Sequence, residues 1–465
     1  MAEVSGTSEE SFNIGEEGKK EGTVAEPEFK SSFSFKLSPL TIGLIFATIV
    51  IIALVILLCV FLIPGAESSS SSSSLSSSFS SSSPPVPSCE ENAPIKRKIS
   101  TTFGNNGTFG ILNTQLSDNG QRISFQNIGP SPLFTVMVAD LNTNTNTFNS
   151  NIQQVGPTGT PKGIVSSMSG SGTVIAAINY LSIIGSSTSS SILNNNVWST
   201  FSPLTTPFIE LQTERFGVAT SKSGSNIAIT GRKNTGPFSV FVEFYTYTGT
   251  TLSSDGLVTI SSPDNQFFMA GSVALNDAGN LCAVLYRESL TVLNIVIIDR
   301  VSEGNWIIRY NKPFLTDFNV DVKAQVKIVS DSRFSFPLLL FSQIFNTVLK
   351  PRMFICAIGE TQIDLVQGII EPLAPFEFAN QFSVDTTPCM TWLYIGSRQE
   401  FQGQGAIYIY KFNGTTFVKQ NFQILNSIPD TFFFSDNVSV TPDNTNLISG
   451  FTDQNNTQSI SLYRQ

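Results

Sequence analysis

One small turn recurs along this chain at an almost fixed interval, and that interval limits the fold more than any other feature. "ALNDAGNLCAVLY" (Ala274–Tyr286) sets Gly279 between two apolar alternations. "QLSDNGQRISF" repeats the arrangement at Gly120, "SMSGSGTVIAA" at Gly172 and "TSKSGSNIAIT" at Gly224, with weaker copies at Arg333, Pro388 and Asn444. Successive anchors lie 52, 52, 55, 54, 55 and 56 residues apart. A second hairpin follows each of the first six, with an apolar residue just past its turn: Phe148, Trp198, Leu252, Trp306, Ile363 and Phe417. Two hairpins are four strands, and four-strand units at this period are expected to be blades around an axis. A β-helix repeats over much shorter coils, and sandwich domains need about 100 residues each. The expectation is therefore all-β: a seven-bladed β-propeller.

Composition agrees with many strands. Charged residues are 13% of the 465, and phenylalanine alone occupies 38 positions. The net charge of −9 gives no basic face for nucleic acid. There is no histidine. That removes Ser-His-Asp and Cys-His pairs, histidine bases and every histidine-ligated metal centre.

The remainder of the chain divides by texture. Residues 1–38 are polar and aperiodic, a disordered tail. Within 39–64, Leu40–Ile63 is an uncharged apolar run of 24 residues, expected to span a bilayer once. Lys20, Lys30 and Lys36 precede it and no Lys or Arg follows until Lys96, which places the tail in the cytoplasm and the head outside, on a cell or a virion envelope. Residues 65–88, almost all serine from Ser68 to Ser83, read as a stalk. The head, 89–465, stops at what would be the third strand of its last blade. Residues 95–103, "IKRKISTTF", are expected to supply the fourth beside Ser459–Tyr463 and close the ring.

Several residues stand out. Asn106, Asn413, Asn437 and Asn455 begin glycosylation sequons, all on the outer side. Cys89, Cys282, Cys356 and Cys389 are disulfide candidates in an oxidising compartment, although Cys282 and Cys356 also fit as small buried hydrophobes. Gly120, Gly172, Gly224, Gly279 and Asn444 are read as turn residues needing positive φ, with Asp118 and Asp277 as caps of the turn amides.

"RFGVATSKSGSNIAITG", "GSVALNDAGNLCAVLY" and "GQGAIYIYKFNGTTFVKQ" resemble the FG-GAP propeller repeat, the class that builds integrin α heads. The resemblance covers roughly residues 95–465 and implies adhesion or attachment. It also implies calcium loops of the form D-x-D-x-D-G, which this chain lacks. "DLNTNTNTF" from Asp140 comes nearest, without the turn glycine or the closing carboxylate. No metal and no cofactor is expected. The reading is a single-pass surface protein whose head binds a protein or glycan without catalysis. The alternative is a sialidase-like glycan hydrolase, since such enzymes need only carboxylates, Arg and Tyr; its S-x-D-x-G-x-T-W signature is half met at Ser262 and at Thr441.

Overall fold

Strands account for all regular structure that the computed structural model describes, namely residues 93–103 and 112–465 less a set of inter-strand segments. The longest of those segments are 206–216, 343–352 and 316–324. The expected tail, membrane span and stalk lie outside the described residues, within which no helix is long and apolar enough to cross a membrane.

The described strands gather into seven antiparallel sheets, numbered here in chain order. Sheets 1, 3, 4, 5 and 6 are four-stranded meanders, bounded by Leu112 and Val155, Gly217 and Ser261, Met269 and Leu315, Val326 and Ile369, and Phe378 and Leu425. Sheet 2, from Ile164 to Thr205, has two short strands, Val197–Thr200 and Leu204–Thr205, sharing its outer edge. Sheet 7 takes three strands from Thr431 to Arg464, and its fourth is Arg97–Phe103 from the other end of the chain. That strand runs antiparallel to Gln458–Arg464 with Thr101 opposite Ser461 and Phe103 opposite Ser459.

The hydrophobic core is divided, and the division reveals the architecture. Seven apolar clusters lie one at each junction between consecutive sheets. Val136, Val138 and Val155 of sheet 1 meet Met168, Ile175 and Ala177 of sheet 2. The series continues through the junctions of sheets 2–3, 3–4, 4–5, 5–6 and 6–7. It ends where Ile448, Ile460 and Leu462 of sheet 7 pack on Leu116, Ile123 and Phe125 of sheet 1. Sheets that pack face to face and return to the first form a β-propeller.

This packing explains a sequence signal. Middle strands such as Leu281–Arg287, Leu338–Ser342 and Trp392–Ser397 are buried at every position, because each has a neighbouring sheet on both faces. Burial of each large aliphatic or aromatic side chain there contributes about 1.5–3 kcal/mol. Outer strands have water on one side and alternate, as in Leu252–Ser261.

The inner strands would present unpaired amides to the axis. Side chains from the preceding sheet take them up. Met168 N–H donates to Gln115 Oε1 (2.6 Å), Thr220 to Ser167 Oγ (3.1 Å), Phe382 to Gln325 Oε1 (2.6 Å), Val440 to Ser383 Oγ (2.9 Å) and Leu116 to Ser439 Oγ (3.1 Å). The donor always belongs to the next sheet around the ring, and the last of these bonds joins sheet 7 to sheet 1. A buried amide left without such a partner costs about 1–3 kcal/mol.

Candidate functional site

The recurring turns converge on one end of the axis. Gly120, Gly172, Gly224 and Gly279 have φ of +69°, +68°, +79° and +71°, and Asn444 has 55°. Each glycine also abuts the preceding sheet. A Cβ on Gly224 would sit 2.6 Å from Val174 of sheet 2, and one on Gly120 would sit 2.4 Å from Asn446 of sheet 7.

The turns are capped one residue earlier than the sequence suggested. Ser117, Ser169, Ser221, Asn276, Asp331, Asp385 and Thr441 each accept a backbone N–H from across their own turn, at 2.8–3.1 Å. In sheet 5 the residue that returns its amide to the cap's carbonyl is Phe334 and not Arg333. Pro388 lies outside the described residues. A Ser, Thr, Asn or Asp three residues before each anchor was the signal available in the sequence.

Asp118 and Asp277 are thereby released from turn capping, which corrects the expectation for both. Their carboxylates share one cation: Lys222 Nζ lies 3.4 Å from Asp118 and 3.9 Å from Asp277. These three residues come from the turns of sheets 1, 3 and 4, so the contact joins three sheets. Backbone bonds Asp118 N–H to Gly170 O (2.7 Å) and Lys222 N–H to Asp277 O (3.3 Å) fix the rim. Desolvation raises the Asp277 carboxyl above its ordinary range, and Asp118 adds to this, against the pull of Lys222 and Lys327. Lys327 of sheet 5 donates to Ser383 Oγ of sheet 6 at 3.4 Å. Its ammonium is pushed down to about 8 by burial, although Asp118 and Asp277 act the other way.

A polar cleft of about 770 Å³ lies against the turns of sheets 1 and 2, lined by Gln121, Arg122, Asp140, Asn142, Asn151 and Thr173 among others. Arg122 grips Asp140 with two nitrogens (2.6 and 3.2 Å) and donates to Gly172 O of sheet 2 (3.0 Å). Desolvation pushes Asp140 upward, but hydrogen bonds from Arg122 and Asn151 and the guanidinium charge outweigh it and hold the carboxyl low. The best approach to a calcium loop is thus a carboxylate already engaged by arginine. Asn142 Oδ1 accepts the amides of Asn144 and Thr145 in an ordinary Asx turn. Among the described residues no group of three or more acidic or cysteine side chains is placed to hold a metal ion.

Of the two readings given for Cys282 and Cys356, the structure agrees with the small buried hydrophobe. Cys282 and Cys356 are free and buried, each inside the apolar middle of its own sheet, so neither is a disulfide partner. Burial pushes both thiols up, Cys356 to about 12. Cys389 is disulfide-bonded. Cys89 lies outside the described residues, as do Asn106 and Asn455. Asn413 sits exposed in a hairpin turn, its Oδ1 accepting the amides of Thr415 and Thr416. Asn437 lies on the inner strand of sheet 7, opposite Gly450.

No family model matches the chain, and no curated protein matches it. Solved structures do. A putative 6-phosphogluconolactonase from Bacteroides uniformis shares 13% identity over 72% of this chain and 89% of its own, with a TM-score of 0.44. The periplasmic gluconolactonase of Pseudomonas aeruginosa shares 11% over 71% and 95%, at 0.46. U3-55K shares 8% over 79% and 99%, at 0.49. The FG-GAP resemblance therefore goes no further than propeller architecture. The expectation of a head without catalysis is corrected by this comparison: the structures matching the chain include proteins named as lactonases.

Proposed function

We propose that this chain is a glycan-active, seven-bladed propeller displayed on a single-pass stalk, with its ligand face at the turn end of the axis. The observation that carries the reading is the placement of Lys222 between Asp118 and Asp277, three residues from the turns of three sheets. Most glycoside hydrolases use two carboxyl groups flanking the bond, one held protonated to serve the leaving oxygen and one to act as base or nucleophile. We assign the acid's part to Asp277, whose carboxyl is shifted upward from its ordinary value. Asp118 is its counterpart, and the Lys222 ammonium positions both. The adjoining cleft offers amide and hydroxyl groups of the kind that bind sugar hydroxyls. Seven sheets in cyclic contact support the blade number. The apolar run Leu40–Ile63 and the serine tract support the anchored, outward-facing placement.

The test is a glycan array probed with the full-length chain, run beside a panel of fluorogenic glycosides, with Asp118→Asn and Asp277→Asn as variants. Turnover of at least one glycoside, lost in either variant while array binding persists, is the expected result. Binding without turnover would reduce the proposal to recognition alone, and neither binding nor turnover would overturn it.

A further inference from the structure

We infer that the polar cleft against the turns of sheets 1 and 2 binds neutral sugar residues and rejects sialic and uronic acids. The inference rests on the glycan-active reading and names the substrate class of that site. Bonded neighbours tie the cleft to the three charged residues. Asn119, on its lining, follows Asp118, and Ser171, also on its lining, donates its amide to Lys222 O at 3.3 Å. At about 770 Å³ the cleft lies within the roughly 300–1,000 Å³ of ordinary small-molecule sites.

The charges of the cleft cancel internally. Arg122 and Asp140 are the charged side chains of its lining, and they are paired with each other. The guanidinium commits Nε and Nη2 to Asp140 and Nη1 to Gly172 O. A ligand carboxylate would have to displace Asp140 from this fork and then lie beside it. A ligand cation would have to compete with Arg122 for the same aspartate. Lys222, reached through Ser171, is itself shared by two carboxylates and leaves no surplus positive charge. Among the described residues of the lining none is aromatic, so a flat aromatic ligand has no face to stack on. Neutral groups of both polarities remain. Asn119 Oδ1 accepts from Ser117 Oγ (2.7 Å) and the Gln121 amide (3.0 Å), and Asn142 Oδ1 accepts two turn amides, so each carboxamide has its NH2 left to donate. Asn151 does the reverse: its Nδ2 donates to Asp140 at 3.0 Å, which leaves its oxygen to accept. A sugar hydroxyl donates and accepts at once, and a set of uncharged donors and acceptors in one cleft matches it.

The experiment probes an array of neutral oligosaccharides, printed beside their sialylated and uronic-acid counterparts, with the full-length chain and two variants. Neutral members should bind roughly tenfold or more tightly than acidic ones, because an acid meets Asp140 and no free cation. Gln121→Ala removes an exposed lining side chain while its carbonyl still accepts the Leu141 amide; it should weaken neutral binding about fivefold. Asp140→Asn leaves the Arg122 charge uncompensated and should admit the acidic members. The array reads binding and not turnover, so neutral glycans bound but never cleaved would support this inference while hydrolysis failed. Preference of the native chain for acidic glycans would overturn it. So would neutral binding that Gln121→Ala leaves unchanged, or the absence of any bound glycan.

Discussion

Replacing Gly224 by alanine separates two reasons for a glycine in the recurring turn. Its φ of +79° lies in the left-handed region, where a Cβ costs about 1–2 kcal/mol. The added Cβ would also lie 2.6 Å from both Cβ and Cγ2 of Val174, a buried residue of the neighbouring sheet anchored on its own strand. Overpacking of that kind costs about a further 1–3 kcal/mol. Gly249 is the control: its φ is +90°, yet nothing lies within 4 Å of the Cβ it would gain. Gly249→Ala therefore meets only the backbone penalty, and Gly224→Ala should be less stable than it by about 1–3 kcal/mol. Urea unfolding followed by tryptophan fluorescence measures the difference, since Trp198, Trp306 and Trp392 all lie in the propeller. Equal destabilisation by the two substitutions would refute the claim that the turn is a contact between sheets as well as a bend.

Asp255, 2% exposed, accepts from Arg300, the Gly304 amide and Trp306 Nε1, so Asp255→Ala should cost about 3–5 kcal/mol in the same assay. Because these bonds and the Arg300 charge outweigh desolvation and hold its carboxyl below the ordinary value, its stabilisation is present above about pH 4 and should be lost on further acidification. Asp385 has the opposite sign: burial pushes it to about 7, so the folded chain keeps a proton that the unfolded chain has released, and stability should fall between about pH 4 and pH 7. Asp385→Asn, whose amide oxygen can still accept from Thr391 and Trp392, should flatten that slope; an unchanged slope would contradict the assignment. Cys282 and Cys356 should resist a thiol reagent in the native chain and react on unfolding, and rapid native labelling of either would mean that its sheet junction is open.

How much of this was legible in the sequence depended on whether the cause was local. All-β character and four-strand units showed plainly, because middle strands buried on both faces leave apolar runs such as "LCAVLY", and turns leave glycines. Caps were misassigned because Asp118 and Asp277 match cap chemistry as well as Ser117 and Asn276 do. What distinguishes them is the place three residues before each anchor, which Ser117 and Asn276 hold, while the two aspartates one residue later face Lys222. The candidate site was legible in part: Asp118, Lys222 and Asp277 come from three different repeats, yet each stands two residues before its anchor glycine, and what the sequence did not give is that these three, among the seven equivalent positions, come within ion-pairing distance. Nor could composition tell a free cysteine from a bonded one: Cys282 and Cys356 sit in different sheets, each filled by its own packing.

Closure of the ring is the claim on which the site depends, because sheets that did not return to the first would leave no axis for these side chains to share. Thr101 and Ser461 face each other across the closing pair, 360 positions apart, with their hydroxyl oxygens 3.3 Å apart. Cysteines introduced at both positions and oxidised in the native full-length chain should form a disulfide found by peptide mapping, while Thr101→Cys combined with Val418→Cys, on the outer strand of sheet 6, should not. Failure of the Thr101–Ser461 pair to cross-link, or equal cross-linking of the control pair, would contradict a propeller closed by its first and last strands.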